Sequence, residues 1–290
     1  MDINKIITNK IIQLLERGTV KAGARWTGSL ATGLPVNAKS GEQYRGINVL
    51  MLWAEMAEKS YASSQWLTFK QAADMGARVR KGEKSVMCVY YKTVSKRDKA
   101  NSDDEQEMYF MAKPFWLFNL AQVDDLPADL MTQAIEAPMK SFNPHQEAEQ
   151  LLLSSQASIH YGFDSAYYSS SIDKICLPVR EQFTSESNFY ATALHELTHW
   201  TGSKTRLNRS FGKRFGDDAY AFEELVAELG AAFTLGQLGM VDATLEAHAD
   251  YVQSWIKVLK NDTRAIFTAA SQAAKASAFI LSRATSITTN

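Results

Sequence analysis

The pattern that most constrains this chain is His-Glu-x-x-His, which occupies residues 195–199 inside a segment with helical spacing of apolar residues. Residues four apart lie on one face of a helix, so His195 and His199 can hold one metal ion from two successive turns. Glu196 lies beside that ion, placed to take a proton from the water that the ion activates. Gly202 follows the segment and is predicted to end the helix. The sequence therefore predicts a helix that carries a metal-dependent hydrolytic centre.

A catalytic zinc ion usually has three protein ligands and an open position for water, so the chain must supply a third ligand. In metzincin peptidases the pattern continues with a glycine and then a third histidine. Gly202 falls on that glycine, but Thr205 stands at the ligand position, and a neutral hydroxyl is a poor zinc ligand. The metzincin interpretation therefore fails. The remaining acidic candidates are Asp217, Asp218, Glu223, Glu224 and Glu228.

The segment around Glu224 resembles the Glu-x-x-Ala/Asp segment of gluzincin peptidases, and we predict Glu224 as the third ligand. Glu228 lies four residues further on the same helix face and is predicted to hydrogen-bond a ligating histidine. Ala227 is small enough to let the two helices approach closely. The alternative is that Glu223, Glu224 and Glu228 form a solvated helix face. Acids in an otherwise apolar helix are costly without a cation, which favours the metal site.

Zn2+ is the predicted cofactor, and another divalent ion such as Mn2+ is the alternative. Glu196 is the predicted catalytic base, and Tyr220 and His248 are the nearest candidates to stabilise an oxyanion. A second basic cluster follows the metal-binding helix and suggests that DNA passes close to the metal. Its members are Lys204, Arg206, Arg209, Lys213 and Arg214.

Length and charge favour a two-domain protein, one part of which binds a polyanion. A chain of 290 residues is longer than a typical domain. Residues 1–97 contain 16 Lys and Arg against 7 Asp and Glu, whereas residues 98–290 contain 15 against 25. The chain shows no apolar run of bilayer-spanning length and no signal-peptide core, and Cys88 and Cys176 have no metal or redox spacing. A cytoplasmic protein without a membrane partner is expected.

The predicted fold class is α+β with two domains. A mixed α/β domain is predicted over residues 1–125, a connection over 126–142 and a zincin-like domain over 143–290. Residues 86–94 are the best strand of the chain, and the charged, polar segment 96–107 is predicted to be a hairpin loop that leads to the partner strands.

Basic and aromatic residues alternate in the first third, a combination that binds single-stranded nucleic acid. A positive groove holds the phosphates, and aromatic faces stack on bases at roughly 1–3 kcal/mol per base. The alternative is that Trp53, Trp66 and Trp116 are core residues and the lysines a solvated face. We favour the core for Trp53 and Trp116, which lie inside periodic apolar segments. The predicted DNA contacts are Arg25, Trp26, Tyr44, Arg45, Trp66, Lys70, Arg78, Arg80, Lys81 and Lys84.

Motifs along nearly the whole chain resemble the ArdC-type antirestriction proteins. They cover residues 44–50, 66–71, 79–84, 118–119, 195–202, 206–209 and 220–228. The resemblance implies a plasmid or mobile-element protein, associated with conjugation, that protects incoming DNA from host restriction. It further implies a single-stranded-DNA-binding domain similar to one in TraC-type plasmid primases, and a gluzincin-like metallopeptidase domain. It adds Asn48 to the predicted DNA contacts, while the acidic segment 96–107 departs from the family pattern.

Three functions stay open from the sequence. In the first, the chain is a DNA-binding antirestriction factor whose metal domain cleaves a host protein. In the second, the metal domain only binds DNA or a partner and hydrolyses nothing. In the third, the chain is a free-standing peptidase, and its basic first third only localises it. Single-stranded DNA is the expected partner, with weaker binding to duplex DNA. A host restriction protein or another host protein is the expected substrate if the metal centre is an active peptidase.

Overall fold

The structure, a computed structural model, describes residues 2–18, 33–95, 108–128, 130, 144–211, 218–240 and 249–285. The helices in these ranges are α1 Ile3–Gly18, α2 Ile47–Lys59, α3 Phe69–Asp74, α4 Pro144–Ser154, α5 Glu186–Thr201, α6 Asp218–Leu238, α7 Ala249–Asn261 and α8 Ala265–Thr285. The strands are β1 Val36–Asn37, β2 Gln65–Leu67, β3 Arg78–Val79, β4 Val86–Ser95, β5 Met108–Asn119, β6 Val123–Asp124, β7 Ser158–Tyr161, β8 Tyr167–Ser169 and β9 Lys174–Leu177. Helices and strands occur in both halves, and the α+β class is confirmed. Among the described helices, none combines the length and the apolar character that a bilayer crossing requires.

The first half is built around a four-stranded sheet with the order β1-β2-β5-β4. Its longest pairing is the β4–β5 hairpin, which runs antiparallel from Val86 opposite Leu117 to Ser95 opposite Met108. This confirms the predicted hairpin strands, while the loop between them lies outside the described residues. Helix α2 packs against β4. The amide of Asn48 bonds both backbone groups of Val89, at 2.8 and 2.9 Å, and so covers part of the β4 edge.

Helix α3 and the short β3–β6 pair enclose a small second core beside the sheet. The Thr68 side chain accepts a hydrogen bond from the Gln71 backbone N–H, and the Gln71 side chain accepts one from the Thr68 backbone N–H. This reciprocal cap satisfies two helix-end donors and sets where α3 begins. The helix is followed by Gly76, whose φ of +76° is a conformation that glycine adopts without strain.

The second half places a three-stranded sheet of order β7-β9-β8 beside the helices that carry the predicted metal ligands. Strand β9 pairs in parallel with β7 and antiparallel with β8. Helix α5 contacts β8 and β9 on one side and packs against α6 on another, and α6 packs along α8. The sheet and α8 thus fix both of the helices that form the candidate site.

One large hydrophobic core runs through both halves of the chain. The Trp53 ring of α2 lies 5.9 Å from the Phe233 ring of α6, and Tyr91 of β4 lies 6.4 Å from Phe267 of α8. Helix α1 packs against α7, so the N-terminal helix is buried by the C-terminal half. The boundary at residues 126–142 stays a prediction, and residues 129 and 131–143 lie outside the described ranges.

Candidate metal centre

Helix α5 carries the His-Glu-x-x-His pattern and is held rigidly. The Ser185 side chain caps its first turn by accepting a hydrogen bond from the Asn188 backbone N–H. Its apolar side chains Phe189, Ala193, Leu194 and Leu197 are buried. These contacts fix the rotation of the helix about its axis and turn its two histidines towards α6.

Helix α6 approaches α5 closely enough to require a glycine. A Cβ atom built at Gly230 would lie 2.5 Å from Thr198 Cγ2, closer than packed atoms come. Ala227, predicted to permit the approach, is also fully buried. The close contact brings the glutamates of α6 against the histidines of α5.

Two imidazole rings and one carboxylate converge between α5 and α6. His195 Nε2 lies 3.5 Å from Glu224 Oε2, and His199 Nε2 lies 3.5 Å from Glu224 Oε1. One ligand atom from each of the three residues lies within 4.8 Å of the others. Ligands about 2.0–2.1 Å from a tetrahedral zinc ion stand roughly 3.3 Å apart. The two distances of 3.5 Å are close to that value, and the donor set is one that binds divalent ions.

The opposite ring nitrogens face two further carboxylates. His199 Nδ1 lies 3.2 Å from Glu223 Oε1, and His195 Nδ1 lies 3.6 Å from Glu228 Oε2. The alternative of a solvated glutamate face is wrong, because Glu223 is 3% exposed and Glu224 and Glu228 are each 8% exposed. Sequence analysis included Glu223 only among the candidate third ligands and predicted no contact between Glu223 and a histidine, because such a contact depends on the rotation of α6.

The glutamates around His195 and His199 raise the pKa of both imidazoles and so favour a positive charge between α5 and α6. Burial alone would lower the pKa of His195, but Glu224 and Glu228 outweigh it and hold that pKa well above its ordinary value. Burial likewise opposes charge on His199, yet Glu223 and Glu224 raise its pKa to about 9. Burial raises the pKa of Glu224, but the two imidazoles hold it well below its usual range. Such a cluster favours a cation, whether protons or a divalent metal ion.

The predicted base lies at the same site. Glu196 follows His195 directly on α5 and is buried. It forms no salt bridge with any described residue, so its carboxylate is not engaged by a basic side chain of the described part of the chain. Tyr220 lies on α6 four residues before Glu224, on the same helix face, with its side chain half-buried. His248, the other predicted oxyanion stabiliser, lies outside the described residues.

Two arginines of the predicted basic cluster after α5 are held inside the protein by acidic partners. Arg209 is buried against Glu223, and Arg206 stacks on the Trp200 ring at 3.9 Å while it pairs with Asp173. Both guanidinium groups are internal and compensated. Lys204 is exposed, and Lys213 and Arg214 lie outside the described residues.

Two tryptophan predictions in the first half are wrong. Trp66 is 0% exposed, because its side chain enters the main core, so it cannot stack on a base. Trp116 was placed in the core by its apolar neighbours, but β5 turns it outward and leaves it 50% exposed. Trp53, also predicted to be core, is buried.

The other predicted DNA contacts divide by exposure and by partner. Arg45, Lys70, Lys81 and Lys84 are exposed. Arg78 pairs with Asp125, and Arg80 pairs with Glu83 and Asp124. Tyr44 is half-buried and accepts a hydrogen bond from Asn37, and burial raises its pKa to about 12. The Asn48 amide is occupied by the β4 backbone, and Arg25 and Trp26 lie outside the described ranges.

Two packed helices that bring two histidines and a glutamate together are typical of zincin-like metallopeptidase domains. In this chain such a domain follows an N-terminal α/β half. Residues 146–272 match the family model for zincin-like metallopeptidases, and residues 1–118 match that for the N-terminal domain of the anti-restriction factor ArdC. The chain belongs to the ArdC antirestriction family.

Solved structures and curated relatives agree with this assignment. The crystal structure of the metal-free antirestriction ArdC protein from plasmid R388 is similar over 99% of both chains, with a TM-score of 0.82 and 36% identity. Its Mn(II)-bound structure gives a TM-score of 0.79 at 35% identity, over 98% of both chains. The uncharacterized protein y4eC of Sinorhizobium fredii (strain NBRC 101917 / NGR234) is 37% identical over 94% of this chain and 89% of its own.

Two DNA primases TraC of Escherichia coli are also similar, at 37% and 36% identity over 95% and 96% of this chain. The chain spans only 26% and 20% of those primases. A metal-bound relative and the three converging ligands support a divalent ion here, and leave zinc a prediction.

Proposed function

We propose that this antirestriction protein binds single-stranded DNA through the first half of the chain and protects incoming DNA by covering it. The observation that carries this proposal is a set of solvent-exposed aromatic side chains on the face of β5 next to α3. Phe69 is 63% exposed and Trp116 is 50% exposed. Large apolar groups left in water commonly mark a binding site.

Together with the half-buried Phe118, these two residues form a row, which we call the aromatic face and define as Phe69, Trp116 and Phe118. Trp116 and Phe118 are two residues apart on β5, so their side chains point to the same side of the sheet. Phe69 opens α3 and its ring lies 6.4 Å from the Phe118 ring, edge to face. Stacking on such a row tolerates any base, which suits a protein that meets DNA of arbitrary sequence.

Exposed lysines supply positive charge in the same half of the chain. Lys70 directly follows Phe69, and Lys81 and Lys84 lie in the loop that enters β4. All three are exposed and form no ion pair with another described residue, so they are available to phosphates. Arg78 and Arg80 are already paired with carboxylates, which makes the lysines the better candidates.

Replacement of Trp116 with alanine in the full chain is expected to weaken binding of an oligo-dT strand about 5- to 150-fold, the equivalent of losing one stacked base. The measurement is fluorescence anisotropy at fixed salt. Tyr161→Ala is the matched control, because Tyr161 is 46% exposed but lies in the second half. Equal losses in the two variants would contradict the assignment of the aromatic face.

The double variant Lys81→Ala/Lys84→Ala is expected to flatten the salt dependence of the same binding. Each phosphate contact on a single strand contributes roughly 0.7 to the slope of log K against log salt, so two lost contacts remove about 1.4. Lys275→Ala, an exposed lysine on α8, should leave the slope unchanged. An unchanged slope in the double variant would remove these lysines from the interface.

The metal centre favours a second candidate function, that of a metallopeptidase acting on a host protein. Glu196, His195, His199 and Glu224 are the residues that we propose for it, with Glu196 as base and Tyr220 as a candidate oxyanion stabiliser. A divalent ion held there would supply Lewis acidity to a carbonyl group and to water. The observation that supports catalysis is the buried Glu196 beside the histidines, because holding a metal for structure alone requires no base.

A further inference from the structure

We propose that Arg209 is a positioning residue for the metal centre, which orients His199 through Glu223, and that Gly202 leaves the space that its guanidinium group requires. This inference rests on the proposed metal centre and adds to it two residues that would not themselves bind the metal. It concerns how the His199 ring is oriented, and it does not change which residues are proposed to bind the metal.

The first contact joins Arg209 to Glu223 in a buried, two-pronged ion pair. Arg209 Nη2 donates to Glu223 Oε1 at 2.8 Å, and Arg209 Nε donates to Glu223 Oε2 at 3.0 Å. The two side chains are only 4% and 3% exposed. A buried carboxylate is costly unless a cation and hydrogen bonds compensate it, and this guanidinium group supplies both.

The remaining donors of Arg209 tie the same group to the last turn of α5. Arg209 Nη1 donates to Thr201 Oγ1 at 2.8 Å, and Nη2 donates to the Thr198 carbonyl at 2.6 Å. The Arg209 backbone N–H donates to the Gly202 carbonyl at 2.8 Å. A cation there also complements the negative end of the helix dipole. Arg209 therefore fixes Glu223 of α6 relative to the helix that carries His199.

The next contact joins Glu223 to the proposed metal ligand His199. Glu223 Oε1 lies 3.2 Å from His199 Nδ1, and a carboxylate at that position accepts the Nδ1 proton. The other nitrogen, Nε2, is then left with its lone pair directed towards Glu224, the side on which a metal would bind. His195 has no equivalent, because Glu228 is 3.6 Å from its Nδ1 and no described arginine pairs with Glu228.

Gly202 is needed for space rather than for an unusual backbone conformation, because its φ is −77°. A Cβ atom at this position would lie 2.9 Å from Arg209 Nη2 and 2.7 Å from Phe211 Cζ. Any larger residue would push the guanidinium group away from Glu223. The sequence explains Gly202 as a helix stop, whereas the structure shows that it also leaves room for Arg209.

A purely structural role for Arg209 predicts a different result, and the chain offers a matched control. Arg206 is a second internal arginine on the same connection, with its side chain 8% exposed. It donates to the Trp200 carbonyl and pairs with Asp173, but it contacts none of the proposed metal ligands. Loss of either arginine should lower stability, whereas only loss of Arg209 should alter the metal site.

The experiment compares Arg209→Ala, Arg209→Lys, Gly202→Ala and Arg206→Ala in the full chain. Zn2+ and Mn2+ dissociation constants are measured by chelator competition on protein shown to be folded by circular dichroism, and the Co2+ absorption spectrum reports the coordination. Arg209→Ala is expected to weaken metal binding about 10- to 100-fold and to change the Co2+ spectrum, as is typical for partners of ligating histidines. Arg209→Lys should lie between it and the wild type, because an ammonium group cannot bind both carboxylate oxygens in the same way.

Gly202→Ala should weaken binding in the same direction while keeping every charge, and it carries the test if Arg209→Ala does not fold. Arg206→Ala should stay within about twofold of the wild type, since the outer partners of ligands and not remote arginines set the affinity. Wild-type affinity and an unchanged Co2+ spectrum in Arg209→Ala would overturn the proposal, as would an equal loss in Arg206→Ala. A wild-type chain that binds no metal would instead refute the metal centre itself.

Discussion

Glu224→Ala is expected to reduce the metal content of the purified protein from about one divalent ion per chain to nearly none. Glu224 faces both imidazole Nε2 atoms at 3.5 Å, and among the described residues it is the carboxylate that lies between the two histidines. A site left with two imidazoles lacks the third protein ligand that catalytic zinc sites use. Elemental analysis of protein purified with added Zn2+ or Mn2+ measures the content and shows which ion is preferred.

Glu55→Ala is the control for that experiment. Glu55 is also a partly buried glutamate in the middle of a helix, but α2 places it away from the cluster of His195, His199 and Glu224. Its removal should leave the ion in place. Adding metal should also raise the unfolding temperature of the wild type and of Glu55→Ala, since a ligand at 100 times its Kd stabilises by about 2.7 kcal/mol. A fully loaded Glu224→Ala would move the third ligand to another residue.

Glu196→Gln is expected to abolish any peptide hydrolysis while leaving DNA protection intact. The substitution nearly preserves volume and removes the base, and loss of a general base typically costs about 10²- to 10⁴-fold in rate. Metal content should be retained, because the two histidines and Glu224 are untouched. DNA affinity should also be unchanged, because the aromatic face lies in the other half of the chain.

Restriction of incoming unmodified DNA in cells that express each variant separates the two candidate functions. If coverage of single strands carries protection, Glu196→Gln protects and Trp116→Ala does not, and this is the result we expect. If proteolysis of a host protein carries it, Glu196→Gln fails although it binds metal and DNA normally. That second pattern would overturn the DNA-coverage proposal and favour the metallopeptidase.

Much of the local structure could be predicted because neighbouring residues cause it. The spacing of His195 and His199 placed both on one face of α5, and the β-branched and aromatic residues within 86–94 favoured the β4 strand of the hairpin. Thr68 is a residue type that caps helices, and it caps α3. In each case the determining interactions lie within about one helical turn or one strand pair.

Predictions that depended on distant packing were less successful. Trp66 and Trp116 both lie in apolar stretches, yet Trp66 is buried in the main core and Trp116 is 50% exposed, because the packing of distant elements decides which face of the sheet is covered. Arg206 and Arg209 resemble a basic surface in sequence, but Asp173 and Glu223 meet them from elsewhere in the chain. Charge counting along a sequence cannot detect such partners.

By itself the sequence determined that His195, Glu196 and His199 lie on one helix and that several glutamates follow on a second helix. Only the tertiary structure decided which glutamate faces which ring nitrogen, because that depends on how α6 is rotated and how closely Gly230 lets it approach Thr198. It also decided that Arg209 lies inside, bonded to Glu223. Residue types determine which ligands a chain can offer, whereas helix packing determines which atoms lie within bonding distance.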